Sequence, residues 1–175
     1  MAGLNRSKIE SHLTEAGVAM PRYVLLALAL LWLPALGSAQ CLTTLAPNPP
    51  FVPPAPYLSD SPDNMFWFGS EDLWTALSVN AKWKTGDKNT LSAKLTLWGR
   101  GFDWRKETKP KLIVTGKRLD GDGPSVAVAE AHAVFIPSRD AAGIMTGISI
   151  PTAGCWEITT HYAGHRLTFV VAVEP

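Results

Sequence analysis

His161 and His165 are the residues whose type and spacing come nearest to a metal site. They flank the turn Tyr162-Ala163-Gly164-His165. Two imidazoles meeting across a hairpin, joined by His132 or Met145, would form a copper- or zinc-like set. Two histidines hold a metal weakly without further ligands, and His161 falls on the strand face opposite Trp156, toward solvent. Surface histidines at a hairpin tip are therefore the first reading. A small envelope metal-binding protein using His161, His165 and His132 is the second, and no cofactor is expected. Asp120-Gly121-Asp122-Gly123 starts like a calcium loop. Its twelfth position is Ala131, with Glu130 one short, so the bidentate glutamate is missing and a hairpin turn is expected instead.

Signatures of catalysis are absent. The chain has no Gly-x-Ser-x-Gly elbow, no His-Glu-x-x-His, no phosphate loop and no Cys-x-x-Cys. Gly99-Arg100-Gly101 is too short for a dinucleotide fingerprint. Asp103, Glu107, Glu71 and Asp72 supply carboxylates, but glycoside hydrolysis needs two of them at a defined separation. A single sequence does not set that separation, so the expectation is a non-catalytic protein.

Tryptophan carries the alternative chemistry. Six of the seven tryptophans lie beyond residue 39. Trp83 stands between Lys82 and Lys84, and Trp104 between Asp103 and Arg105. Trp98 shares the polar face of its segment with Ser92, Lys94 and Thr96. Exposed rings of this kind stack on sugars or fill a partner's pocket. Trp83, Trp98 and Trp104 are thus the candidate ligand-binding residues, for a protein or glycan partner. The competing reading is that they cover a small second core beneath the 99–110 loop.

The elements that must position these residues begin after a leader. Residues 20–41, MPRYVLLALALLWLPALGSAQC, combine a basic start at Arg22, an apolar run from Val24 to Leu33, a break at Pro34 and the small residues Gly37-Ser38-Ala39. This is the pattern of a cleaved Sec-type signal peptide, with Met20 as the expected start. The apolar run is interrupted too early for a span of about 20 residues, so no integral membrane segment is expected after cleavage. Gln40 is a poor residue to precede a lipidated cysteine, which favours cleavage after Ala39 over a lipid anchor on Cys41. The expected location is extracellular, periplasmic or at the cell surface.

An oxidising compartment preserves disulfides. The chain has two cysteines, Cys41 and Cys155, and an even pair with no choice of partner implies one bridge. Removing residues 1–39 takes away Arg6, Lys8 and Arg22, and Glu10 and Glu15. The 16 basic and 15 acidic residues become 13 and 13, so the mature chain is neutral. That argues against general nucleic-acid binding, which needs excess positive charge. A basic cluster from Arg105 to Arg118 reads as a solvated strand edge, where lysines discourage edge pairing.

Three segments follow from composition: an N-terminal extension with signal peptide (1–39), a proline-rich arm (40–62) and a β-sandwich domain (63–175). The arm holds seven prolines between Cys41 and Pro62 and is expected to run extended without a ladder of its own. Beyond it, short apolar runs alternate with turn residues. Strands are expected at 65–68, 73–78, 91–98, 111–115, 125–129, 133–136, 144–150, 155–162 and 167–173. Leu91, Ala93, Leu95 and Leu97 alternate with polar neighbours, a period-two signature. Lys84 to Asn89 and Leu119 to Pro124 supply turns. Many short strands at regular spacing predict an all-β sandwich. Trp156, Ile158 and Thr160 share one face, as do Leu167, Phe169, Val171 and Val173. Cys155 then faces the other way, where the arm would reach it. This closing hairpin resembles the last two strands of an immunoglobulin-like antiparallel β-sandwich.

The chain also resembles a family of uncharacterised secreted bacterial proteins. The matching pieces are Cys41, Leu73-Trp74-Thr75, Gly116-Lys117-Arg118-Leu119-Asp120 and Pro151-Thr152-Ala153-Gly154-Cys155-Trp156-Glu157. They span nearly the whole mature domain. The resemblance implies export and a compact β domain with paired cysteines, and it brings no reaction with it. The proline-rich arm and the Lys84–Asn89 loop are this chain's own.

Overall fold

The computed structural model describes residues 40–84 and 91–175. The expected signal peptide and most of the Lys84–Asn89 turn lie outside the described residues. Among the described residues ten strands form: β1 (Met65–Gly69), β2 (Leu73–Ser78), β3 (Lys82–Lys84), β4 (Leu91–Gly99), β5 (Ile113–Arg118), β6 (Ala127–Val128), β7 (His132–Ile136), β8 (Ala141–Ile150), β9 (Gly154–Tyr162) and β10 (His165–Glu174). Among the described residues the one helical piece is a 3-10 turn at Pro137–Arg139. No helix there is long and apolar enough to cross a membrane.

The strands make a two-sheet sandwich. One sheet runs β1-β2-β4-β8, with β6 and β7 both on the far side of β8. The other runs β3-β10-β9-β5. Apolar side chains at alternate positions meet between them. Leu73, Leu77, Leu97, Ile144 and Ile148 come from the first sheet, and Trp156, Ile158, Phe169 and Val171 from the second. All are buried, as period-two alternation requires when one face of a sheet turns inward.

Three features depart from the sequence reading. The short strand β3 escapes it, because Lys-Trp-Lys carries almost no strand signal alone. β3 lies parallel to β10, with Trp83 opposite Val173, so the sandwich is not wholly antiparallel. β5 starts and ends later than expected. The Asp120-Gly-Asp-Gly segment is not a hairpin: it carries the chain from β5 in one sheet to β6 in the other.

The proline-rich arm packs onto both sheets. Cys41 is bonded to Cys155 with alpha carbons 5.4 Å apart. Three residues on, the Thr44 N–H donates to the Val170 carbonyl at 2.9 Å, and the Val170 N–H donates to Thr44 Oγ1 at 2.8 Å. The arm thereby occupies hydrogen-bonding groups of β10 that β3 leaves free. It then crosses to the outer face of the first sheet, where Phe51 and Tyr57 close over a second core of Trp67, Trp74 and Trp98. The Trp67 indole N–H donates to the Ser59 carbonyl at 3.0 Å. Trp98 stands edge-on to Trp67 at 5.1 Å.

Candidate functional site

The three tryptophans named from sequence do not share a surface. Trp98 is 5% exposed. It shares the outward face of β4 with Ser92, Lys94 and Thr96, but that face is covered by the arm at the Trp98 end. Trp83 is half-buried, with its ring 6.3 Å from Phe169 on the main core. Trp83 and Trp98 border one hollow of about 280 Å³ with Lys94 and Thr96, and Trp104 lies apart from them in another cleft. A second tryptophan core does exist, built under the proline-rich arm and not under the 99–110 loop.

The cleft around Trp104 has two lobes. One, of about 390 Å³, lies between Pro56-Tyr57, the Phe102–Arg105 segment, Phe135 and Asp140–Ala142. The other, of about 480 Å³, lies between Pro54–Tyr57 and Arg100–Phe102. Tyr57 and Phe102 border both. Each wall is held from behind. Tyr57 stands edge-on to buried Trp74 at 4.9 Å. Phe102 meets Tyr162 edge-on at 6.1 Å. Trp104 packs on Phe135 with ring centroids 5.9 Å apart and planes 32° apart. The Arg105 guanidinium lies 4.7 Å from the centre of the Trp104 ring, an attraction to the ring's negative face. Phe135 keeps 43% of its surface in water.

The loop carrying Phe102 and Trp104 is braced by its acids. Asp103 accepts the Arg105 N–H at 3.1 Å and pairs with Lys106 at 3.3 Å. The Arg105 hydrogen bond, then Lys106, lowers its carboxyl pKa below the ordinary value. The buried Tyr162 hydroxyl donates to Glu107 at 2.5 Å. Burial first, then the Glu107 carboxylate, pushes that phenol well above its ordinary range. The Ala133 N–H donates to the Thr108 carbonyl at 2.9 Å, tying the loop to β7. Glu71 and Asp72 pair with Arg100. All four acids considered for hydrolysis are thus engaged by protein groups.

The histidines are separated by register. The two-residue turn Ala163-Gly164 sets His165 opposite Tyr162 and His161 opposite Arg166. Side chains alternate faces along a strand, so His161 and His165 point to opposite sides of the sheet and cannot converge across the hairpin. His165 Nδ1 lies 3.7 Å from Asp72. His132 sits on β7, in the other sheet. Among the described residues no three side chains of histidine, cysteine, aspartate or glutamate gather as a metal site.

Asp120 has a structural part. It pairs with Arg118 at 2.7 Å and accepts the Cys155 N–H at 3.0 Å. A third hollow of about 520 Å³ lies on the first sheet's outer face, lined by small residues such as Ser92, Gly147 and Ser149. It presents no aromatic ring. Tyr57, Phe102 and Phe135 escape sequence reading as site residues. The Phe102-Asp103-Trp104 spacing was a usable signal; Tyr57, inside a proline-rich arm, carried none. Comparison with family models, curated proteins and solved structures returns no match.

Proposed function

We propose that this chain is an exported, non-catalytic binding module that holds a glycan or a protein segment in the cleft around Trp104. The observation that carries the reading is the gathering of Tyr57, Phe102, Trp104 and Phe135 at a concave surface open to water. Such rings are costly to leave exposed and useful to a ligand. Asp103, Arg105 and Asp140 at the same cleft supply hydrogen-bonding groups beside the rings, which suits a sugar, with one apolar face and a hydroxyl rim. A glycan is therefore the first ligand class and a protein segment the second. The leader pattern and the Cys41–Cys155 bridge support an oxidising, exported setting. In this reading the fold is used as immunoglobulin-like sandwiches are, with a two-sheet frame presenting loops at one end.

A glycan-array screen followed by titration of the hits tests it. Trp104→Ala should weaken binding at least about tenfold, the loss of an anchoring ring, while Tm moves little. Unchanged affinity in Trp104→Ala would place the ligand elsewhere. No glycan bound, with a protein captured through the same residue, would select the second ligand class.

A further inference from the structure

We infer that the outer face of the four-stranded sheet is a second binding surface, shaped for an acidic polysaccharide. The register of β5, β9 and β10 aligns side chains in rows across this face. Thr115 lies opposite Thr159, and Thr159 opposite Thr168, a line of three threonines at strand spacing of about 4.8 Å. Thr159 is buried and shares a hydrogen bond with Thr168 at 3.0 Å, so Thr115 and Thr168 present the row to solvent. The row toward the hairpin holds Ile113, His161 and Arg166. The row on the other side holds Lys117, Glu157 and Val170. Cations therefore flank a hydroxyl row, with the rows about 7 Å apart.

The charges on this face are unspent. Lys82, Arg100, Lys106, Lys109 and Arg118 all pair with carboxylates. Lys117, Arg166 and the nearby Lys111 form no ion pair among the described residues. Glu157 stands opposite Lys117 in the register without bonding it. Arg166 gives its Nε hydrogen to Thr168 Oγ1 at 3.2 Å, which aligns the guanidinium along the hydroxyl row. Lys111, Lys117 and Arg166 are three cations against the one carboxylate of Glu157, so this face keeps an excess of positive charge.

Charge complementarity calls for a polyanion, and the side chains narrow the class. Threonine hydroxyls both donate and accept, as sugar hydroxyls do, so a chain of sugars bearing regular carboxylates or sulfates matches both the row and its flanks. A single-stranded nucleic acid would be served by aromatic platforms, and His161 is the one aromatic side chain in these rows. A lipid surface would be served by projecting apolar groups, and Ile113, 61% exposed, is the one large example. The surface shares no residue with the Trp104 cleft.

Titration of the disulfide-bonded protein with heparin and with polygalacturonate tests the assignment. Dextran, a DNA duplex and phosphatidylglycerol vesicles serve as comparison probes, and circular dichroism reports folding. Binding to at least one acidic polysaccharide should fall steeply with salt. The Lys117→Ala/Arg166→Ala protein should bind at least about tenfold more weakly with a shallower salt slope. Thr115→Val/Thr168→Val should also weaken binding at unchanged charge, whereas Lys82→Ala, which removes a cation from the edge of the same sheet, should not. The inference fails if neither acidic polysaccharide binds, if the double cation variant binds as well as the parent, or if dextran, DNA or vesicles bind equally tightly.

Discussion

Trp98 lies near the end of β4 and Trp104 in the loop just beyond, yet their surroundings give them opposite work. Trp98 is sealed between Trp67 and the arm, so its truncation leaves a void. Trp98→Ala should cost about 3–5 kcal/mol of stability, read by urea denaturation, with the unfolding slope retained. A cost below about 1 kcal/mol would mean that the second core does not support the fold. Asp120 makes a pH-dependent contribution. Desolvation alone would raise its pKa, but the hydrogen bonds from Arg118 and the Cys155 N–H outweigh that and lower it. A lowered folded-state pKa stabilises above the unfolded value of about 4, and that stabilisation is lost as the pH falls through the folded value. The stability difference between the parent and Asp120→Asn should therefore shrink on acidification from about pH 5 to about pH 2. A difference that stays constant across that range would show that the carboxylate charge plays no part.

At the scale of elements, the arm decides most. It closes the second core through Phe51 and Tyr57, fills the β10 edge through Thr44, and is tied to β9 by the disulfide. A loop of 114 positions gives a chain-entropy contribution of about 4–5 kcal/mol. Cys41→Ser should lower Tm by roughly 10 °C or more and make the tryptophan fluorescence more accessible to acrylamide as the arm loosens over Trp74. A variant with Tm within about 2 °C of the parent and unchanged quenching would show that the arm holds without the bridge. The arm also explains why Trp98 is buried although it lies on the polar face of β4. Alternation tells which side of β4 a residue is on; it does not tell what lies above that side.

For the molecule as a whole, two sheets share one interior, and the outer faces differ. The first sheet is half roofed by the arm; the second carries the Cys41–Cys155 bridge and Thr44 of the arm at one side and leaves Lys117 and Arg166 exposed. If the leader is removed as its pattern predicts, the intact mass of the exported protein should correspond to Gln40–Pro175 with two hydrogens missing. No thiol should react with an alkylating agent until the protein is reduced. A mass that retains the leader, or a lipid on Cys41, would overturn the expected processing.

Sequence alone determined the all-β class, nine of the ten strands within a few residues, the inward faces of β9 and β10, and the cysteine pairing. These follow from local periodicity and from having a single possible pair. Tertiary structure alone decided which apolar-looking surface is free. It roofed Trp98, left Trp104 in a cleft with Tyr57 and Phe135 from distant segments, and aligned Thr115, Thr159 and Thr168 into one row. It also set His161 and His165 on opposite faces through the one-step register of a two-residue turn. Each of those outcomes depends on how separate segments meet, and the spacing of residues along a chain does not encode the distance between chain segments that fold together.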